Sequence, residues 1–210
     1  GGGEADETAP RVAQKVQIRN KELEQSHVCL GTPCYQQDHQ DRYAAYLLNT
    51  VLGGSMSSRL FQNIREKQGL AYSVYSELSM YRDAGCMVIY AGTSARWAEK
   101  VVKSISRELH EAASSLVTSE ELRRAKDHLK GSIVLGLEST SSRMANLARQ
   151  ETYFKRFMTL DEILERVERV TAEEVQALAQ RFFRPDQIAV AMLGPLGDFR
   201  LRRQELGWEQ

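Results

Sequence analysis

A chain of 210 residues with 28 basic and 28 acidic side chains has no net charge at neutral pH, which gives neither nucleic acid nor an anionic membrane surface a field to follow. Its length suffices for one large domain with a sizeable core. No apolar run approaches the length of a membrane span, and the residues present show no signal-peptide pattern.

The chain lacks an initiator Met and opens on Gly1-Gly2-Gly3, which reads as a fragment of a longer protein. Residues 1–10 are small and acidic, end on Pro10, and read as a linker ahead of a single domain over 11–210. Val12, Gln14, Val16 and Ile18 alternate, and an extended character resumes from Glu24 to Gly31. With turn chemistry at Asn20-Lys21-Glu22 between them, the pattern predicts a β-hairpin. His27 is expected on a strand, against solvent or a neighbour. A metal role would need partners at ligand spacing, and none are present. Cys29, Cys34 and Cys86 are odd in number and unpatterned, as expected of idle thiols in a reducing compartment. Cytoplasm is therefore the expected location, with periplasm and mitochondrial matrix as alternatives.

Asp38 to Leu52 is predicted helical, capped by Asp38, with Tyr43, Tyr46, Leu47, Thr50 and Val51 as its apolar stripe and His39 exposed in the first turn. Gly53 and Gly54 end it, since glycine tolerates positive φ. Ser57 or Ser58 can cap a short helix carrying Leu60, Phe61 and Ile64 on one face, and Gly69 closes it. Leu70 to about Tyr81 extends as a strand, turns at Arg82-Asp83-Ala84-Gly85, and returns from Cys86 to Ala91 as its antiparallel partner. Arg65 falls in the last helical turn and Tyr72 in the strand, so one tight turn can bring both side chains into one neighbourhood. A plain structural role is the alternative. Tyr72 shares strand parity with Leu70, Val74 and Leu78, as a core-facing residue would, and Arg65 can stabilise its helix end.

Helices follow from Ser94 to Ala113 (Trp97, Val101, Ile105, Leu109 inward) and from Thr118 past Leu137, interrupted at Gly131 and Gly136. Ser142 to Phe157 and Asp161 to Val170 are two more, and the capping box Thr171-Ala172-Glu173-Glu174 opens the last, which ends near Phe183. Ile188 to Leu193 is a final strand returning to the sheet. Helices grouped between strands, rather than a repeating βαβ unit, indicate α+β.

Two motifs fall short of chemistry. His110-Glu111-Ala112-Ala113-Ser114 begins like His-Glu-x-x-His, but Ser114 stands where the second imidazole is needed, and His128 is too far along to substitute. Gly53-Gly54 lacks the lysine and spacing of a phosphate loop.

The run Ser57-Ser58-Arg59-Leu60-Phe61, then Arg65-Glu66-Lys67 and Gly69-Leu70-Ala71-Tyr72-Ser73-Val74-Tyr75, followed by Asp83-Ala84-Gly85 and Tyr90-Ala91-Gly92-Thr93, resembles the C-terminal half of insulinase/pitrilysin-type zinc peptidases, the inverzincins that include mitochondrial-processing-peptidase-like proteins. The likeness holds over about forty residues in the family's order. It implies an antiparallel or mixed sheet covered on one face by several helices. It implies a zinc metalloendopeptidase whose metal sits in an inverted His-x-x-Glu-His helix of the N-terminal half, on the same chain or a partner subunit. This chain would bind no cofactor itself and be inactive alone. It also implies a peptide substrate, with Arg65 gripping its backbone and Tyr72 donating to the oxyanion; a phenol of ordinary pKa about 10 stays neutral and able to donate. A homodimer is left open. The alternative within the superfamily is a non-catalytic peptide-binding or scaffold subunit, which has no chemical need for Arg65 and Tyr72.

Overall fold

The computed structural model describes Ala13 and residues 15–202. The linker at residues 1–10 and the alternating positions Val12 and Gln14 lie outside the described residues.

Strands β1 (Val16–Asn20), β2 (Ser26–Cys34), β3 (Ser73–Met80), β4 (Gly85–Thr93) and β5 (Ala189–Gly194) form one mixed sheet in the order β1-β5-β2-β4-β3. The predicted β1–β2 hairpin is not formed. β5 inserts between the two, parallel to β1 (Val16 opposite Val190) and antiparallel to β2 (His27 opposite Leu193). A local turn signal could not reveal a competing strand more than 150 residues downstream. β3 and β4 pair antiparallel as expected.

The helices are α1 (Arg42–Leu52), α2 (Ala98–Ser114), α3 (Ser119–Gly136), α4 (Thr140–Phe154), α5 (Leu160–Arg169) and α6 (Ala172–Phe182), of which α1, α2 and α6 bury a full apolar face. Every second residue of β2 from Val28 to Thr32 is buried, as are Val74 and Ser76 of β3 and Met87, Ile89 and Ala91 of β4. That face meets α1, α2 and α6, while α3 and α5 stack outside α1. The sheet is thus covered on one face and open on the other. Val101, Ile105 and Leu109 of α2 point into the core as the spacing required. α3 runs through Gly131 without a break. Capping boxes at Thr118–Glu121 and Thr171–Glu174 start α3 and α6.

Local chemistry differs from expectation at four points. Neither Asp38 nor Asp41 caps α1 with its side chain, and the helix begins at Arg42. His39 is not a surface residue of the helix. It stacks on the Tyr35 ring at 3.5 Å, and its Nδ1 accepts from the Asp41 N–H at 3.1 Å. Neither Ser57 nor Ser58 caps the next helix; the Ser58 hydroxyl is buried without a partner. Gly53 ends α1 with φ −154°, not in the left-handed region. Glycine is needed there because a Cβ would lie 2.4 Å from the Ser76 backbone nitrogen, where β3 crosses α1.

Candidate functional site

The segment after α1 holds the candidate residues. Phe61–Glu66 is a π-helix, a widened turn often found at functional positions. Leu60 and Ile64 are fully buried and anchor it. Two further ties fix its register: the Asn63 amide donates to Glu108 Oε1 at 2.9 Å, and Arg59 forks onto both Glu121 oxygens at 2.9 and 3.1 Å. Glu108 is buried, which pushes its carboxyl up, with the Asn63 hydrogen bond acting against this. Partial burial also opposes charge on Glu121, but the Arg59 hydrogen bonds and those from Thr118 prevail and bring it down to about 2. Sequence spacing does not identify Glu108 or Glu121 as supports, because they reach the site from α2 and α3.

Arg65 is the penultimate residue of the π-helix. Its guanidinium lies 4.8 Å from the Phe61 ring centroid and 3.8 Å from Glu66, with its side chain 45 % exposed. Gly69 then turns the chain at φ +60°, its N–H bonding Arg65 O at 3.0 Å and the Leu70 N–H bonding Ile64 O at 3.0 Å. Leu70 and Ala71 are both buried, which breaks strand parity just before Tyr72. The core-facing alternative for Tyr72 therefore fails. It is 67 % exposed, and only its backbone is held, N–H to Gly92 O at 2.8 Å. Among the described residues nothing hydrogen-bonds the Tyr72 hydroxyl. Arg65 and Tyr72 flank the Gly69 turn, both reaching solvent, with no hydrogen bond between them among the described residues.

The open sheet face adds residues that spacing left unassigned. Tyr75 of β3 is paired with Tyr90 of β4, their ring centroids 5.2 Å apart, and the Tyr90 hydroxyl meets His27 Nδ1 at 2.8 Å. Tyr75, Tyr90 and His27 thus form an aromatic row across three strands. The period-2 pattern of β3 and β4 holds the signal, since both tyrosines sit opposite to the buried set. Among the described residues no group of three or more His, Cys, Asp or Glu could hold a metal ion, and no helix is long and apolar enough to cross a membrane. The three cysteines are free.

Comparison with known proteins gives the family. The "Peptidase M16 inactive domain" description matches residues 4–129. The chain is 43% identical over 180 residues to the uncharacterized zinc protease YmxG of Bacillus subtilis, covering 86% of this chain and 44% of that protein. It is 40% identical over 195 residues to an uncharacterized zinc protease of Streptomyces coelicolor, covering 92% and 42%. A crystal structure of a peptidase M16 inactive domain from Pseudomonas fluorescens superposes with a TM-score of 0.80 at 25% identity, over 90% of this chain and 45% of the other. The chain spans less than half the length of these curated relatives. It belongs to the peptidase M16 (insulinase/pitrilysin) family, as the inactive C-terminal domain.

Proposed function

We propose that this chain is the substrate-binding C-terminal half of a zinc metalloendopeptidase, with the metal held by an N-terminal half on the same chain or a partner subunit. One observation carries the reading: Arg65 and Tyr72 flank a glycine turn at the sheet's edge with their polar heads exposed and spared by local hydrogen bonds. The Tyr72 hydroxyl has no hydrogen-bond partner among the described residues, and the Arg65 guanidinium, beside Glu66 and the Phe61 ring, stays 45 % exposed, so both heads remain open to a ligand. Among the described residues no cluster of ligands could hold a metal ion, and the part assigned to this domain is to hold the peptide. The Arg65 guanidinium offers forked donors to carbonyls of an extended chain and fixes its register. The Tyr72 phenol donates to the scissile carbonyl oxygen as negative charge develops there. The Tyr75–Tyr90–His27 row provides an aromatic surface for substrate side chains beside them.

The test is kinetic, in the assembled two-half peptidase. Tyr72→Phe is expected to lower kcat by about 10²–10³ while leaving thermal stability unchanged, the loss usual for one oxyanion donor. Arg65→Ala is expected to raise KM more than it lowers kcat. Unchanged kinetics in both variants would remove the assignment. So would chelator-sensitive peptide hydrolysis by this chain alone.

A further inference from the structure

Away from the sheet face, a cavity of about 310 Å³ opens among α1, α3, α4 and α5. Its lining combines apolar Leu129, Ile133, Phe154 and Ile163 with polar Arg42, Tyr46, Arg149 and Gln150. Arg42 is only 5 % exposed. Its guanidinium is sandwiched between the Tyr43 and Phe154 rings, 4.5 Å from each centroid. It donates to His39 O at 3.1 Å, to the Tyr43 hydroxyl at 3.2 Å and to Met158 Sδ at 3.4 Å. Among the described residues no carboxylate pairs with it. An enclosed cation without an anion is unusual, because the lost hydration is normally returned by a counter-charge. A second group beside it is also unsatisfied: Gln150 is 3 % exposed, its Oε1 accepts from the Met158 N–H at 2.6 Å, and its Nε2 has no partner. The Tyr46 phenol is pushed up by burial, while its Gln37 hydrogen bond and the Arg42 and Arg149 charges pull the other way, so both cations act on one point.

We propose that this cavity binds a small organic carboxylate carrying an apolar group, the carboxylate between Arg42, Arg149 and the Gln150 amide and the apolar group against Leu129 and Ile133. The enclosed size suits a single branched or aromatic residue or a medium-length acyl chain. Such a carboxylate comes either from a peptide C-terminus or from a fatty acid. Titration of the full 210-residue chain with N-acetyl-leucine and with octanoate separates the two sources. Saturable binding of one or both is expected, and the tighter acid identifies the source. N-acetyl-leucinamide, which keeps the apolar group without the charge, should bind at least about tenfold more weakly than N-acetyl-leucine, and octanol likewise against octanoate. Arg149 is exposed and its replacement spares the core. Arg149→Gln should therefore fold normally and bind the preferred acid about tenfold more weakly, even if an Arg42→Met chain proves unstable. Absence of saturable binding by either acid, equal binding of the neutral analogues, or unchanged affinity in Arg149→Gln would each overturn the proposal and leave Arg42 a structural clamp between α1 and α4.

Discussion

Single residues here are placed by what surrounds them, and three show how differently that works. Cys34 lies on the core-facing side of β2, where burial, with Cys86 nearby, pushes its thiol up to about 12 against the pull of the Tyr35 N–H. It is therefore a neutral thiol at any physiological pH. Iodoacetamide at pH 8 should alkylate it at least about a hundredfold more slowly in the native chain than in urea, read by mass spectrometry of the Cys34 peptide. Gly53 and Gly69 are both glycines at helix ends but for different reasons. At Gly69 a Cβ meets nothing within 4 Å and the difficulty is φ +60°, so Gly69→Ala should cost about 1–2 kcal/mol. At Gly53 a Cβ would collide with the Ser76 backbone and displace β3. Gly53→Ala should therefore lower the melting temperature further, by about 2–3 kcal/mol in stability.

Elements are joined by a few polar ties rather than by propensity alone. Glu121 completes the capping box of α3 and also receives the Arg59 fork, so one carboxylate starts a helix and anchors the segment before the π-helix. Its carboxyl lies near 2 instead of its ordinary 4.5. A lowered folded-state pKa stabilises above the unfolded value and is lost as pH falls through the folded one. Stability from this pair should accordingly be complete above about pH 4.5 and drain away as pH falls toward about 2. Glu121→Gln should cost about 1–2 kcal/mol at pH 7, discounted for partial solvent screening, and should flatten that acid limb in urea titrations at stepped pH. The same two-residue logic makes the π-helix a well-held platform for Arg65.

At the scale of the whole molecule, the first and last strands meet in one sheet. β5 fills the gap between β1 and β2, so ending the chain at Arg184 should strip β1 of its partner and abolish cooperative thermal unfolding. Were β1 and β2 a hairpin, amide exchange at Val16–Asn20 would instead stay protected in that truncation. Periodicity, with the capping boxes of α3 and α6, located the helices and strands, because burial of one face imposes a period of 3.6 or 2 on the residues themselves. The α+β class and the inward faces of α1 and α2 were legible in this way, and the Arg65–Gly69–Tyr72 order was visible as spacing. Three features depended on the tertiary structure: the insertion of β5, the exposure of Tyr72 after the Leu70-Ala71 parity break, and the convergence of Glu108 and Glu121 on the π-helix. The first and third are contacts between residues far apart in sequence, and local pattern records which face of a segment is buried but not which distant segment buries it.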